Sequence, residues 1–177
     1  MQKQLPIWVT AAGHPDTFRS AGAMGANLLT HLLGQNTKEI SEKLDIYRQA
    51  RADAGFDPDG GHITLMLHTF VSDDASYAMD MVEQPFKSYL RSSVGLMKPL
   101  AQQLGIDFIA HQDLLVEQSF QRYSTTSALF GSPESCLDLV KRIKEMGIDE
   151  IACLIDFGVA VDETLDNLPN LVKLRNL

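Results

Sequence analysis

Ile63-Thr64-Leu65-Met66-Leu67-His68-Thr69-Phe70-Val71 is a near-continuous apolar run interrupted by one histidine, directly after the turn cluster Asp57-Pro58-Asp59-Gly60-Gly61. A strand-length run without apolar–polar alternation is covered on both faces, as in parallel sheets flanked by helices. Upstream, Thr37 is the expected cap of a helix whose Ile40, Leu44 and Tyr47 recur at three- and four-residue spacing up to Gly55. Before it lies Asn27-Leu28-Leu29-Thr30-His31-Leu32, a strand candidate of mediocre propensity. Earlier still, Ile7-Trp8-Val9-Thr10-Ala11-Ala12 reads as a short strand ended by Gly13. His14-Pro15-Asp16 then starts a helix that buries Phe18, Ala21 and Gly22 and closes at Gly25.

Downstream the pattern is irregular at first. Asp73-Asp74 opens a helix, Pro85 is expected to break it before a second helix around Phe86 to Met97, and no strand shows up to Thr126. Residues 73–126 therefore read as a helical insertion, of the kind that often forms a lid or binding loop. Ser132-Pro133-Glu134 starts the next helix, with an apolar stripe of Cys136, Leu139, Val140 and Ile143 and Gly147 past its end. Ile151-Ala152-Cys153-Leu154-Ile155 is a buried-strand run followed by Asp156-Phe157-Gly158. A last helix carries Leu165, Leu168, Leu171 and Val172, with Pro169 expected to kink it. Strands alternating with helices in this order predict a parallel sheet with right-handed crossovers. A small open α/β sheet and a piece of a (β/α)8 barrel both satisfy the pattern.

Composition narrows the classes. A chain of 177 residues, 45% hydrophobic and without a low-complexity tract or linker-like stretch, reads as one domain. A formal net charge of −8 argues against a nucleic-acid partner, which calls for a basic face. No apolar stretch approaches the roughly 20 residues that span a bilayer, and the opening Met1-Gln2-Lys3-Gln4-Leu5-Pro6 lacks a leader's apolar core. The expectation is a soluble cytoplasmic protein without membrane contact. Cys136 and Cys153 form no CxxC pair and are expected at buried, inert positions. The five histidines show no ligand spacing, so no metal site is expected.

Several of these stretches together resemble the luciferase-like monooxygenases, closest to the subgroup that accompanies polyketide and nonribosomal peptide biosynthesis. The segments are Ile7 to Phe18, Ala21-Gly22, Gly25 to Gln35, Thr64 to Val71, Phe130 to Cys136 and Gly147 to Gly158, with Tyr89-Leu90-Arg91-Ser92-Ser93 between them. The resemblance implies the C-terminal half of a (β/α)8 barrel, from its fifth strand to its eighth helix: four parallel strands with the helical insertion after the third. It further implies reduced FMN, supplied by a separate reductase, and insertion of one oxygen atom from O2 into an organic substrate. A relative that binds flavin or serves as a scaffold without turnover is the alternative. Four barrel strands leave unpaired sheet edges, so the missing first half, or self-association as a homo-oligomer, is expected as a partner.

In such barrels the site lies at the C-terminal strand ends. Thr10, Ala11, Ala12 and Gly13 sit at one, directly before a helix N-terminus, where small residues let backbone amides approach a phosphate; Thr17 adds a hydroxyl. An ordinary tight strand-to-helix turn is the alternative. His31 and His68, at or near strand ends, are candidates for hydrogen-bonding the flavin or carrying a proton, against a structural role for each. His14 reads as a helix cap or surface residue. Asp156 and Phe157 are expected beside the flavin, or else in capping and packing. Arg91, Arg122 and Tyr123 belong to the lid and are candidate substrate or phosphate contacts, with a surface ion pair as the alternative for Arg91. Gly131-Ser132 is a weaker anion candidate that capping alone explains.

Overall fold

A computed structural model describes residues 5–93 and 112–177. They form two compact units, one from the chain up to Met66 with Ile143–Ala152, the other from Leu67–Arg142 and Cys153–Leu177.

The first unit holds β1 (Trp8–Thr10), α1 (Pro15–Ala23), β2 (Asn27–His31), α2 (Thr37–Asp53) and the start of β3 (Ile63–Val71). β1 runs parallel to β2 with Trp8 opposite Asn27 and Thr10 opposite Leu29. β2 in turn runs parallel to β3, from Leu28 opposite Ile63 to His31 opposite Met66. The imidazole of His14 caps α1, Nδ1 accepting from the Asp16 amide at 3.3 Å. At the other end Gly25 takes φ +66°, its amide donating to the Gly22 carbonyl while Ala26 donates to that of Ala21. That left-handed turn is what a glycine at this place provides.

α2 departs from expectation at its cap. Asn36, not Thr37, is the cap residue, because its side chain accepts from the Glu39 amide and Glu39 returns the bond to the Asn36 amide. A reciprocal pair satisfies two end donors, which a lone Thr37 hydroxyl would not. Ile40, Leu44 and Tyr47 are fully buried, as the spacing predicts. They meet α1 across Gly22, where a Cβ would collide with the Tyr47 carbonyl oxygen and stand 3.0 Å from the Ala50 Cβ. Tyr47 also donates to the Ala26 carbonyl at 2.7 Å, and the buried Arg51 donates to that of Asp57 at 2.9 Å, fixing both ends of the loops around α2.

The second unit holds the rest of β3, then α3 (Ala75–Ser92), α4 (Gln112–Thr126), β4 (Leu129–Gly131), α5 (Pro133–Glu145), which ends in the first unit, and α6 (Val161–Arg175). β5 (Glu150–Leu154) also pairs with β3. The α/β fold with a parallel sheet is as expected, but there is one strand more. β4 lies parallel beside the end of β3, Thr69 opposite Leu129 and Val71 opposite Gly131. Three residues are too few to display a period, which is why sequence reading passes over this strand.

Pro85 is a second correction. Instead of breaking the chain it sits inside a continuous α3. A proline forfeits one helical hydrogen bond, and the stripe Ala78, Val82, Phe86 and Leu90, almost wholly buried, outweighs that loss. The part of the expected second helix beyond Ser93 lies outside the described residues. α3 is tied to α4 through Lys87, whose buried ammonium reaches Glu83 and Glu117, each at 2.6 Å, over the Phe120 ring. Hydrogen bonds to both carboxylates push the Lys87 pKa up, and the same contact pulls that of Glu117 down. α6 runs through Pro169 as one helix. Among the described residues no helix is long and apolar enough to cross a membrane.

Candidate functional site

Each unit carries its own share of the expected residues. In the first, β1 ends at Thr10, and Ala11 is locked in place: its amide donates to the Leu29 carbonyl at 2.9 Å and its carbonyl accepts from the Thr30 hydroxyl at 2.8 Å. Gly13 has φ +151°, a backbone region that side chains disfavour. The first-turn amides of α1 are already engaged, Asp16 with the His14 ring and Thr17 with the His14 carbonyl. By contrast, the amides of Ala12, Gly13 and His14 donate to no protein group among the described residues. Free backbone donors before a helix start are the groups that an anion can use at such an end. The half-buried Thr17 stands in the first turn behind them. Asp16 brings negative charge there, but Arg19 pairs with it directly.

His31 closes β2 and is half-buried, its Nδ1 buried without a hydrogen-bond partner among the described residues. Desolvation pushes its pKa below the ordinary 6.5, with the Leu33 backbone working the other way. The ring is therefore neutral at neutral pH, able to take or give one proton-mediated bond. Beside it lie residues that sequence reading missed. Gln35, only 3% exposed, donates from Nε2 to the His31 carbonyl at 2.8 Å and accepts at Oε1 from Lys43 at 2.6 Å. Gln35 ends a segment that resembles the family, but nothing in the sequence marks it or Lys43 as a site residue, and only the fold brings the two together.

In the second unit His68 is buried among aromatic rings, its centroid 4.8 Å from Phe86, 4.7 Å from Tyr89 and 5.6 Å from Phe157, all edge-on. Phe86 contacts Phe130 and Tyr123 as well, at 5.3 and 6.0 Å. Phe157 is thus brought to His68, while its neighbour Asp156 is exposed. Asp156 does not cap α6, whose cap position is Ala160. Arg91 makes an ion pair with Asp113 at 3.3 Å on the surface. Arg122 lies over the Tyr123 ring at 5.6 Å, and Tyr123 is buried. At the Gly131-Ser132 turn, Ser132 and Ser135 exchange amide-to-hydroxyl bonds of 2.9 and 3.3 Å. Those end donors are satisfied internally.

The cysteines part company. Cys136 is buried and desolvation pushes its thiol up to about 11, an inert group at physiological pH. Cys153, expected to be buried, is exposed as a residue, because β5 is half-open along its length. Its sulfur nonetheless lies against Thr69, and desolvation raises that pKa too.

Comparison with known proteins places the chain. Residues 1–150 match the model of the luciferase-like monooxygenases, and the chain belongs to that family. No curated protein matches the sequence. Among solved structures it is similar to the monooxygenase RslO1 from Streptomyces bottropensis, at 19% identity and TM-score 0.64, over 97% of this chain and 48% of that one. It is likewise similar to the oxygenating constituent of 3,6-diketocamphane monooxygenase from Pseudomonas putida, a type II Baeyer–Villiger enzyme in complex with FMN, at 20% identity and TM-score 0.66 over 97% and 46%. An F420-dependent secondary alcohol dehydrogenase, bound to an F420–acetone adduct, matches at 16% identity and TM-score 0.63 over 97% and 49%. The chain therefore spans about half the length of these structures, and its fold is part of a luciferase-like (β/α)8 barrel.

Proposed function

We propose that this member of the luciferase-like monooxygenases is the FMN-holding portion of a flavin-dependent monooxygenase. The observation that carries the reading is the trio of amides at Ala12, Gly13 and His14, which donate to no group among the described residues and stand before α1 at the end of β1. Their donor chemistry fits a phosphate monoester, with Thr17 as a hydroxyl donor and the α1 dipole adding favourable potential. Reduced FMN, when bound, supplies the activation of O2 and the transfer of one oxygen atom to an organic substrate. The protein residues bind and orient. His31, kept neutral by burial, offers a ring nitrogen for hydrogen bonding or for holding a proton. In the second unit the rings around His68 exclude water from their surroundings, and Arg91, Arg122 and Tyr123 remain the candidates for substrate contact.

A flavin binder without turnover is the second reading. The packing of His68 and Phe157 inside an aromatic cluster, together with the engagement of Arg91 by Asp113, favours it. Flavin titration followed by oxygen consumption with reduced FMN separates the two. Binding with substrate-dependent oxygen uptake supports the enzyme, binding alone supports the second reading, and no binding at micromolar FMN rejects both for this chain.

A further inference from the structure

Lys43 is a cation out of keeping with its surroundings. The chain has 23 acidic against 15 basic residues. Lys38, Lys87 and Lys173 each reach a carboxylate, whereas no carboxylate among the described residues pairs with Lys43. Lys141 and Lys144 also make no ion pair among the described residues, but both are exposed. Lys43 is half-buried, and its ammonium is held at 2.6 Å by a neutral amide oxygen, that of Gln35. An ammonium has three donors, and one amide oxygen takes only one of them.

Position makes the charge informative. Lys43 lies in the second turn of α2, and helical side chains lean toward the N-terminal end, here toward the loop that follows β2. Gln35 in that loop is buried, fixed to the His31 carbonyl, and its amide Cδ and Oε1 stand 3.7 Å from where a Cβ on Gly13 would be. One buried amide thus links the Gly13 turn to a lysine that makes no ion pair with a carboxylate among the described residues. Asp16, the nearby acid on α1, is neutralised by Arg19.

We infer that Lys43, positioned by Gln35, is an anion-recognising residue of the strand-end site and contacts the phosphate of the cofactor. Gln35 is the positioning residue: its buried amide sets where the ammonium points. The inference rests on the FMN reading for the identity of the anion, but recognition of a phosphate group does not.

The test compares wild type with Lys43→Met and Lys43→Arg, using FMN, riboflavin and inorganic phosphate as probes. Flavin affinity is read by fluorescence quenching, and phosphate binding by thermal stabilisation of the protein. Lys43→Met is expected to weaken FMN roughly ten- to a hundredfold, the loss typical of one charge-assisted hydrogen bond, to leave riboflavin unchanged and to abolish stabilisation by phosphate. Lys43→Arg should keep most of the FMN affinity. Equal FMN affinity in wild type and Lys43→Met, or equal weakening of FMN and riboflavin, overturns the inference while leaving the cofactor reading intact. If wild type holds neither flavin, the cofactor reading fails, and phosphate alone decides: stabilisation lost in Lys43→Met upholds the anion site, and stabilisation unchanged or absent in wild type rejects it. Circular dichroism of each variant confirms that the fold is kept.

Discussion

His31 has a ring nitrogen, Nδ1, buried without a hydrogen-bond partner among the described residues, and desolvation holds its pKa below 6.5. Protonation is easier in the unfolded chain than in the folded one, so the sign of the linkage is fixed. The stability associated with the neutral ring is present above pH 6.5 and is lost as the pH falls through the lower folded-state value. A His31→Gln variant should therefore show a flatter decline of Tm between neutral and mildly acidic pH than wild type. Parallel Tm profiles for the two proteins would mean that His31 does not titrate in this way. Other single residues resist such reading from sequence. Gln35 and Lys43 are eight positions apart in a loop and a helix, and their bond exists only because α2 folds back over the end of β2.

At the level of elements, much was legible because burial imposes a period. β3 was read at its observed bounds, and α1, α2 and α5 began and ended within a residue or two of their cap signals. What failed to show was structure held by distant contacts. β4 is too short for a pattern, and α3 survives Pro85 only through its packing stripe. Packing likewise sets the outcome of two substitutions. Gly22→Ala places a better helix former in α1, yet its methyl meets the α2 backbone at Tyr47. We expect a net loss of about 1–3 kcal/mol in urea unfolding, typical of overpacking, and a gain would show that α1 and α2 can move apart freely. Phe86 is fully buried at the centre of the ring cluster, so Phe86→Ala should cost about 3–5 kcal/mol. A loss under about 1 kcal/mol would indicate that the cluster is not a packed core.

For the whole molecule, the half-length match to larger structures and the open surfaces belong together. Ile7 and Trp8 on and before β1 are 59% and 42% exposed, and Val161, Leu165 and Val172 are exposed along α6. Among the described residues β1 pairs with β2 alone, which leaves its other edge open. Exposed apolar edges favour association, so sedimentation velocity of this 19.6 kDa chain should reveal species heavier than a monomer. A single monomeric boundary across micromolar concentrations would count against a partner on these surfaces. Trp8 gives this surface its own reporter. It is the sole indole in the sequence, anchored by its N–H to the Thr64 hydroxyl at 3.1 Å while part of the ring meets water. Whatever comes to rest on that margin must dry the ring, and the intrinsic emission will move to shorter wavelength without any label being attached.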